Sequence, residues 1–185
     1  MGSEKTDGSN EKLSLEDQKK IEEEMKKSRE EEDDEENPNN ILVRGARLWC
    51  SCGTHPRRLN LPLSYGVYAV DENHPKVHMN NNEVGDDKNI SYYGVCQSEN
   101  PPEGDMICVE PYVTDDGKKT SDSNIDGYMC KPCILGSWLD VKEDEVIFDQ
   151  DKKQKFSGLT TNSFLVCKYG GVIEVETSGQ EYDGE

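Results

Sequence analysis

The feature that most constrains this chain is a short motif that occurs twice, once near each end of its central region. Leu48–Gly53 and Leu165–Gly170 both read Leu-x-Cys-x-x-Gly. In each copy an apolar residue and a cysteine alternate with exposed-type residues, as a half-buried strand requires, and a glycine then permits a tight turn or a close approach to a neighbour. Two such strands predict that the ends of the region meet, with Cys50 and Cys167 as neighbours. The pattern favours a β-rich unit closed on itself over the βαβ framework of many enzymes.

The amino-acid composition disfavours several classes of binding partner. The apolar fraction of 32% is below the roughly 45–50% usual for globular chains, which predicts a thin core. The formal net charge of −18, without a compensating basic stripe in either half, disfavours nucleic acids and anionic membrane surfaces. No apolar run approaches the ~20 residues that span a bilayer. The polar N-terminus lacks the apolar region of a secretory signal, so we expect a protein made and folded in the cytoplasm.

The chain divides into an acidic N-terminal extension, residues 1–40, and a β-rich domain, residues 41–185. Ser14–Asp17 has the form of a capping box, and good helix formers follow it, which predicts a solvated helix from Leu15 to Glu31. Its few apolar residues cannot form a buried stripe. We therefore expect the extension to be helical or disordered and to add nothing to the core. Pro38 marks the boundary.

From Ile41 onward, short apolar runs alternate with Gly, Pro, Asn and Asp, and no amphipathic helix interrupts them. Many short strands at close spacing predict an all-β sandwich, barrel or prism. Thr114–Asn124 is a polar segment and is predicted to be a long, mobile loop. The predicted strands are Arg47–Cys52, Gly66–Val70, Pro75–Met79, Met106–Val109, Glu145–Phe148, Ser163–Lys168 and Val172–Glu176.

The seven cysteines are many for a chain of this length, and an odd number in a reducing compartment favours free thiols or metal ligands over a disulfide framework. Cys130 and Cys133 have the C-x-x-C spacing at which two thiolates bind one tetrahedral zinc ion, although this is only half a site. The alternative is that cysteines such as Cys50, Cys96 and Cys167 are small core residues, as buried cysteines usually are. The candidate second halves of a metal site are Cys96 with Cys108, Cys50 with Cys52, and His74 with His78.

The sequence contains no Gly-rich phosphate loop, no Gly-x-Ser-x-Gly elbow and no His-Glu-x-x-His motif. His55 and His74 each precede a proline and are predicted to be exposed turn residues rather than general bases. Cys52 with His55 is the only local pairing of a thiol nucleophile with a base, which leaves a small hydrolase or effector toxin as a weaker alternative. We expect a protein that is not an enzyme.

Four groups of residues, in this order and at this rough spacing, resemble the motifs of the PAAR-like (DUF4280-type) proteins. The resemblance covers about residues 41–180, and it ends in a Cys-x-Tyr-Gly-Gly-x-Ile motif followed by Gly-Gln. Four short motifs in the right order are more specific than any one of them. The matching residues are Gly45–Ser51; Asp87–Ile90 with Tyr93–Pro101; Cys130–Pro132 with Trp138; and Cys167–Glu174 with Gly179 and Gln180.

This resemblance implies a small conical, β-prism-like domain that caps the trimeric spike of a contractile injection machine. The machine would be a type VI secretion system, a phage-tail-like particle or an extracellular contractile injection system. Such caps commonly hold a metal near the apex, and extensions can recruit an effector or adaptor. The protein would be cytoplasmic during assembly, then part of a secreted or injected particle, and would contact the target membrane only on injection. A free-standing zinc-binding interaction module with an acidic tail is the alternative function.

The resemblance also implies a ligand set for zinc. The cysteines that match the family motifs by position are Cys50, Cys96, Cys130 and Cys167, whereas Cys52, Cys108 and Cys133 are additions in this chain, like the loop around Gly117. PAAR proteins proper use histidine-rich sites, so a cysteine site would be a variation. The alternative ligands are Cys133, Cys108, His74 and His78.

Overall fold

The computed structural model describes residues 15–30 and 41–181. One helix, α1 (Leu15–Glu30), carries Glu16 and Asp17 in its first turn, where carboxylates complement the helix dipole. One contact with the domain is a hydrogen bond that the Glu22 carboxylate accepts from the Asp140 N–H at 3.3 Å. No described residue of α1 belongs to the hydrophobic core. The predicted helix is confirmed, while its capping residue Ser14 and the boundary at Pro38 lie outside the described residues.

The described part of the domain is built from eight short strands and many isolated bridges, so the β-rich prediction is confirmed. Four strands form one antiparallel sheet in the order β2-β1-β8-β7, and the others form two hairpins, β3 with β4 and β5 with β6. The strands are β1 (Arg47–Cys50), β2 (Arg57–Arg58), β3 (Met106–Val109), β4 (Ile125–Tyr128), β5 (Lys142–Asp149), β6 (Gln154–Gly158), β7 (Phe164–Val166) and β8 (Val172–Val175).

The two ends of the domain meet, as the repeated motif predicts. In the four-stranded sheet β1 pairs directly with β8, which places Cys50 opposite Ile173. The end of the domain is also tied to its beginning, because the Gln180 side chain donates a hydrogen bond to the Ile41 carbonyl at 2.8 Å. One strand, β8, separates β1 from β7. Cys50 and Cys167 therefore lie in the same region without facing each other across one strand pair.

Strand β1 contributes to the core through every second residue. Leu48 and Cys50 point inward, and their neighbours are half-exposed. The largest fully buried side chains include Trp138, Tyr93 and Phe164. Burial of an aromatic or aliphatic side chain of this kind contributes roughly 1.5–3 kcal/mol relative to exposure. The Trp138 indole N–H also has a partner, the Asn81 carbonyl at 2.9 Å.

The structure corrects two predicted strands. Gly66–Val70 and Pro75–Met79 are not continuous strands but pair through isolated bridges, such as Tyr68 with Pro75. Gly66 has a φ of +78°, and Pro75 cannot donate to a ladder, so neither segment can form an uninterrupted one. Three strands are absent from the prediction. The short β2 forms because it pairs with β1, and β4 and β6 form because each completes a hairpin with the strand before it.

The polar segment predicted to be a mobile loop is held against β1. The Arg47 guanidinium binds the Asp115 carboxylate at 2.9 Å and the Glu176 carboxylate at 2.5 Å. The Tyr112 ring packs edge-on against Trp49, with 5.5 Å between the ring centroids. Lys119 of the segment also forms a bridge with Val113, which precedes the segment. Strand β1 is therefore covered on its solvent side as well as on its core side.

Candidate functional site

Six of the seven cysteines lie close together in one region, which we call the thiol cluster. Charges on Cys50, Cys96 and Cys167 raise the pKa of Cys130. A charge on Cys133 raises the pKa of Cys167, and charges on Cys50 and Cys96 raise that of Cys52. The seventh cysteine, Cys108, is exposed on β3. The thiol cluster consists of Cys50, Cys52, Cys96, Cys130, Cys133 and Cys167.

Backbone pairing fixes the buried members of the thiol cluster. Strand β1 places Cys50 on its inward face. A second antiparallel ladder holds two others, because the Cys130 N–H donates to the Gly94 carbonyl at 2.7 Å and the Cys96 N–H donates to the Tyr128 carbonyl at 2.8 Å. The Cys167 N–H donates to the Gly171 carbonyl at 2.8 Å. The four family-matched cysteines, Cys50, Cys96, Cys130 and Cys167, are all buried.

Glycines let the backbone pack tightly around these sulfurs. A Cβ on Gly53 would lie 2.5 Å from the Tyr93 Cβ, and a Cβ on Gly171 would lie 2.8 Å from the Cys50 Sγ. Gly170 has a φ of +92°, in the left-handed region that favours glycine. The glycines that end the two copies of the motif therefore serve the two roles predicted for them, close approach at Gly53 and a tight turn at Gly170.

Cys50 and Cys130 act on each other's ionisation. The Cys130 thiol lowers the pKa of Cys50 to about 7 against the opposing effect of burial. The Cys50 thiol, together with burial, raises the pKa of Cys130. Burial is also the first cause of the raised pKa of Cys167. Cys50 is therefore the buried thiol of this pair that ionises first.

Tyr93 is a further residue of this region that the sequence analysis did not single out as functional. Its side chain is fully buried, and among the described residues its hydroxyl has no hydrogen-bond partner. Burial raises the pKa of Tyr93 well above its usual value, and the charges of Cys50 and Cys130 raise it further. A buried hydroxyl without a partner costs about 1–3 kcal/mol. The signal that could have identified it is its place in the Tyr-Gly-Val-Cys motif before Cys96.

The zinc site stays a prediction. The donor chemistry of the thiol cluster suits zinc, because thiolates are common zinc ligands. However, no group of three or more Cys, His, Asp or Glu side chains among the described residues is arranged to hold a metal ion. Metal binding would require the loss of the thiol protons, since zinc binds thiolates.

The alternative ligands lie in three different places. Cys133 is exposed, although its N–H donates to the Cys167 sulfur at 3.4 Å. Cys108 is also exposed and lies outside the thiol cluster. His74 is only 2% exposed, so its prediction as an exposed turn residue is wrong. The His74 Nδ1 lies 2.8 Å from the Asp71 carboxylate.

His78 belongs to a second buried polar group that the sequence analysis missed, and we call this group the His78 network. The His78 Nε2 donates to the Asp149 carboxylate at 2.9 Å, and its Nδ1 accepts from the Asn80 N–H at 3.1 Å. Both ring nitrogens are therefore in use. The ring is stacked between Tyr65 and Phe156, with centroid distances of 4.7 and 4.6 Å. The His78 network consists of Tyr65, His78, Asn80, Asn81, Asp149 and Phe156.

The other members of the His78 network also have partners. The Asn81 side chain accepts from the His78 backbone N–H at 2.7 Å and donates to the Tyr65 hydroxyl at 2.6 Å. The second Asp149 oxygen accepts from the N–H groups of Asp151 and Lys152. Burial opposes ionisation of Asp149, but the Lys152 N–H and the His78 ring hold its pKa below the usual value. Burial lowers the pKa of His78, so the ring is neutral.

Fold and site together define a small β-rich domain whose ends meet beside a cluster of mostly buried thiols. The chain matches, over residues 42–180, the family described as "Domain of unknown function (DUF4280)", and it belongs to that family. No curated protein and no solved structure matches the chain. Within the described residues, no helix is long and apolar enough to cross a membrane.

Proposed function

We propose that this chain is a non-enzymatic cap for the trimeric spike of a contractile injection machine. The observation that carries the proposal is the closure of the domain, in which β1 pairs with β8 where the thiol cluster lies. Membership of the DUF4280 family supports it, since the motifs at Cys50, Cys96, Cys130 and Cys167 resemble those of PAAR-like proteins. The mechanism is mechanical: a small, closed domain takes load at the end of a spike without needing a large core.

The described contacts fit this mechanism. The first and last segments of the domain are paired to each other, so force applied at either end is borne by neighbouring strands rather than by a free terminus. Only 32% of the chain is apolar, and a small core gains more from added cross-links than a large one does. The thiol cluster is where such a cross-link would join the four-stranded sheet to the ladder that carries Cys96 and Cys130.

The extension supplies the second half of the proposal. Helix α1 makes polar contacts with the domain and adds nothing to the described core. A segment of this kind can be exchanged or extended without disturbing the cap, and it is our candidate for recruiting an effector or adaptor. The cap would fold in the cytoplasm, join the spike there, and leave the cell as part of a particle.

The test is binding to a spike. The reduced full chain is mixed with trimeric β-helical spike proteins from type VI, phage-tail-like and extracellular injection systems, and complexes are measured by size-exclusion chromatography with light scattering. We expect one copy per trimer. The matched control is each spike with its tip truncated, which should not bind. Self-association alone, with no complex on any intact spike, would contradict the proposal.

A zinc-binding interaction module is the second candidate function, and the observation that favours it is the gathering of the four family-matched cysteines. Elemental analysis of the reduced chain after zinc addition and gel filtration tests it. One zinc per chain with no binding to any spike would favour the module. One zinc per chain that is lost in Cys130→Ser but kept in Cys108→Ser would place the ion in the thiol cluster, whichever function holds.

A further inference from the structure

Trp49 lies on the outer face of β1 and borders two neighbouring grooves. It is half-exposed, because it alternates with the inward-pointing Leu48 and Cys50. One groove has a volume of about 550 Å³, and we call it the Gln97 groove after an exposed residue that lines it. The other has a volume of about 280 Å³, and we call it the Glu174 groove after a residue that lines it. Among the described residues Trp49 alone lines both grooves, so it forms a ridge between them.

The indole of Trp49 is held in place by its neighbours. Trp49 pairs with Glu174 in the ladder between β1 and β8. The Tyr112 ring packs edge-on against the indole and also against the His55 ring, with 5.5 and 5.9 Å between the centroids. The Thr120 N–H donates to the Tyr112 carbonyl at 2.9 Å, which ties a lining residue of the Gln97 groove to the same aromatic group. A ring that is fixed before binding loses little freedom when a ligand stacks on it.

The polar side chains of the Gln97 groove come from three segments of the chain. The Gln97 N–H donates to the Cys52 carbonyl at 2.7 Å, which ties Gln97 to the turn after β1. Thr120 belongs to the polar segment before β4, and Asp126 belongs to β4 itself. These three lining residues are exposed and carry an amide, a hydroxyl and a carboxylate. Together such groups both donate and accept hydrogen bonds, as the hydroxyl groups of a sugar require.

The charges near the ridge exclude several classes of ligand. No lysine or arginine among the described residues lines either groove, whereas Asp126, Glu174 and Glu176 do. The Arg47 guanidinium is already bound by the Asp115 and Glu176 carboxylates. An anionic ligand would therefore be repelled. The few apolar side chains of the grooves are not enough to cover a lipid chain, since apolar ligands need predominantly apolar pockets. A neutral, hydroxyl-rich ligand fits best.

We infer that Trp49 and the two grooves bind a neutral, β-linked oligosaccharide. The C–H face of a pyranose ring is weakly positive and stacks on the negative face of an indole. Its hydroxyl groups lie along the edge of the ring, where the polar side chains of the Gln97 groove can bond them. The volume of this groove lies within the roughly 300–1,000 Å³ of typical ligand sites. Because β-linked pyranoses form a flat, extended chain, one unit can lie on the ridge while its neighbours enter the grooves.

This site does not depend on the proposed function. A cap that binds a neutral polysaccharide would be held at a glycan-coated surface before it is driven forward. A free-standing module would bind the same ligand without a spike. Oligosaccharide binding and spike binding are therefore measured separately, so that either can fail alone.

Tryptophan fluorescence provides the readout, because the two tryptophans differ in exposure. Trp49 borders the grooves, whereas Trp138 is only 1% exposed and stays shielded. The reduced full chain is titrated with cellohexaose, chitohexaose and laminarihexaose, and with the α-linked maltohexaose for comparison, and calorimetry measures each Kd. We expect an emission shift and saturable binding for at least one β-linked probe, about tenfold tighter than for maltohexaose. The Kd should be the same at about 0.05 M and about 0.5 M salt, because no ion pair forms.

Variants assign the binding to the ridge. Trp49→Ala should weaken binding of the best probe by about tenfold or more, because it removes the stacking surface. Gln97→Ala should weaken it by about threefold to tenfold through loss of a neutral hydrogen bond, and this exposed position keeps the inference testable where Trp49→Ala does not fold. Phe148→Ala is the matched control, since it removes an exposed aromatic ring of β5 that lines neither groove. It should leave the Kd unchanged.

Three results would overturn the inference. The first is the absence of binding to every β-linked probe, and the second is binding that both Trp49→Ala and Gln97→Ala leave unchanged. The third is binding of a lysine-rich peptide that is lost at high salt, with no response to the oligosaccharides, which would assign the acidic grooves to a basic partner. A preference for maltohexaose would refute the β linkage.

Discussion

The two buried polar regions of this domain, the His78 network and the thiol cluster, are built on opposite principles. In the His78 network both ring nitrogens, the Asp149 carboxylate and the Asn81 amide have partners. Beside the thiol cluster the buried Tyr93 hydroxyl has none, and the Cys130 thiol lowers the pKa of Cys50 to about 7. A buried polar group that is fully paired rigidifies its surroundings, whereas an unsatisfied one has capacity to bind or react.

This difference teaches where to look for function in a small domain. The His78 network is chemically complete and serves to fix the β5–β6 hairpin to the body of the domain. The thiol cluster keeps its cysteines free, and its backbone packs tightly at Gly53 and Gly171.

The largest expected effect comes from the tight backbone of the thiol cluster. Gly94→Ala forces a side chain into a φ of +73° and places its Cβ 2.6 Å from the His55 Nδ1. We expect it to lower the free energy of unfolding by about 3 kcal/mol, since strain at such a position costs about 1–3 kcal/mol before any clash. Urea denaturation measures the change.

Gly117→Ala is the matched control for Gly94. Gly117 has a φ of +82°, but no atom lies within 4 Å of the added Cβ. This variant should lower the free energy of unfolding by about 1 kcal/mol, because backbone strain is its only cost. Equal losses for the two variants would show that the thiol cluster is not tightly packed around Gly94.

The His78 network should be sensitive to loss of its carboxylate. Asp149→Ala leaves the buried His78 Nε2–H without an acceptor and frees the Asp151 and Lys152 N–H groups. Loss of these partners should cost about 2–3 kcal/mol, measured by urea denaturation at neutral pH. Asp144→Ala, at an exposed carboxylate of the same strand, should change stability by less than about 0.5 kcal/mol. A loss for Asp149→Ala no larger than that would mean that the network contributes little.

Lowering the pH should destabilise the protein through the imidazole ring of His78. Because burial lowers the pKa of His78 in the folded state, the unfolded chain binds more protons below its ordinary value of about 6.5, and stability falls as the pH falls through that value. We expect the free energy of unfolding to fall between about pH 7.5 and about pH 5.5. His78→Gln keeps a donor toward Asp149 but does not titrate, so its loss over this range should be smaller. Parallel curves for the two proteins would refute this prediction.

The smallest expected change in stability compares the thiol cluster and the His78 network most directly. Tyr93→Phe removes a buried hydroxyl that has no partner, so in the reduced, metal-free protein it should be neutral or stabilising by up to about 1 kcal/mol. Tyr65→Phe removes a hydroxyl that accepts from Asn81 and should destabilise by about 1 kcal/mol. Thermal unfolding of the two variants in parallel gives the sign. Destabilisation by Tyr93→Phe equal to that by Tyr65→Phe would show that the Tyr93 hydroxyl is satisfied after all.

Much of the fold could be predicted from short-range pattern. The alternation around Cys50 and around Cys167 predicted two half-buried strands and the meeting of the ends, because strand period and glycine position are local properties. Strands β4 and β6 could not be predicted in this way. Their residues are mostly polar, and they become strands only because β3 and β5 offer an edge to pair with.

The site was predictable by residue type but not by arrangement. The cysteines of the family motifs were recognisable, and their burial follows from strand alternation. The gathering of the cysteines depends on how separate strand pairs pack, which no local spacing records. His78 and Asp149 are 71 positions apart in the chain, so motif reading cannot detect their contact.

The bond between Gln180 and Ile41 has a practical consequence. The chain enters and leaves the domain at adjacent points, so a short linker could join the two ends and new termini could be opened in an exposed turn, such as that around Gly117. Such a circular permutant should keep the fold. For the same reason, passenger domains joined directly to residue 41 and to residue 180 would emerge from the same patch of surface, which leaves the rest of the domain open for assembly.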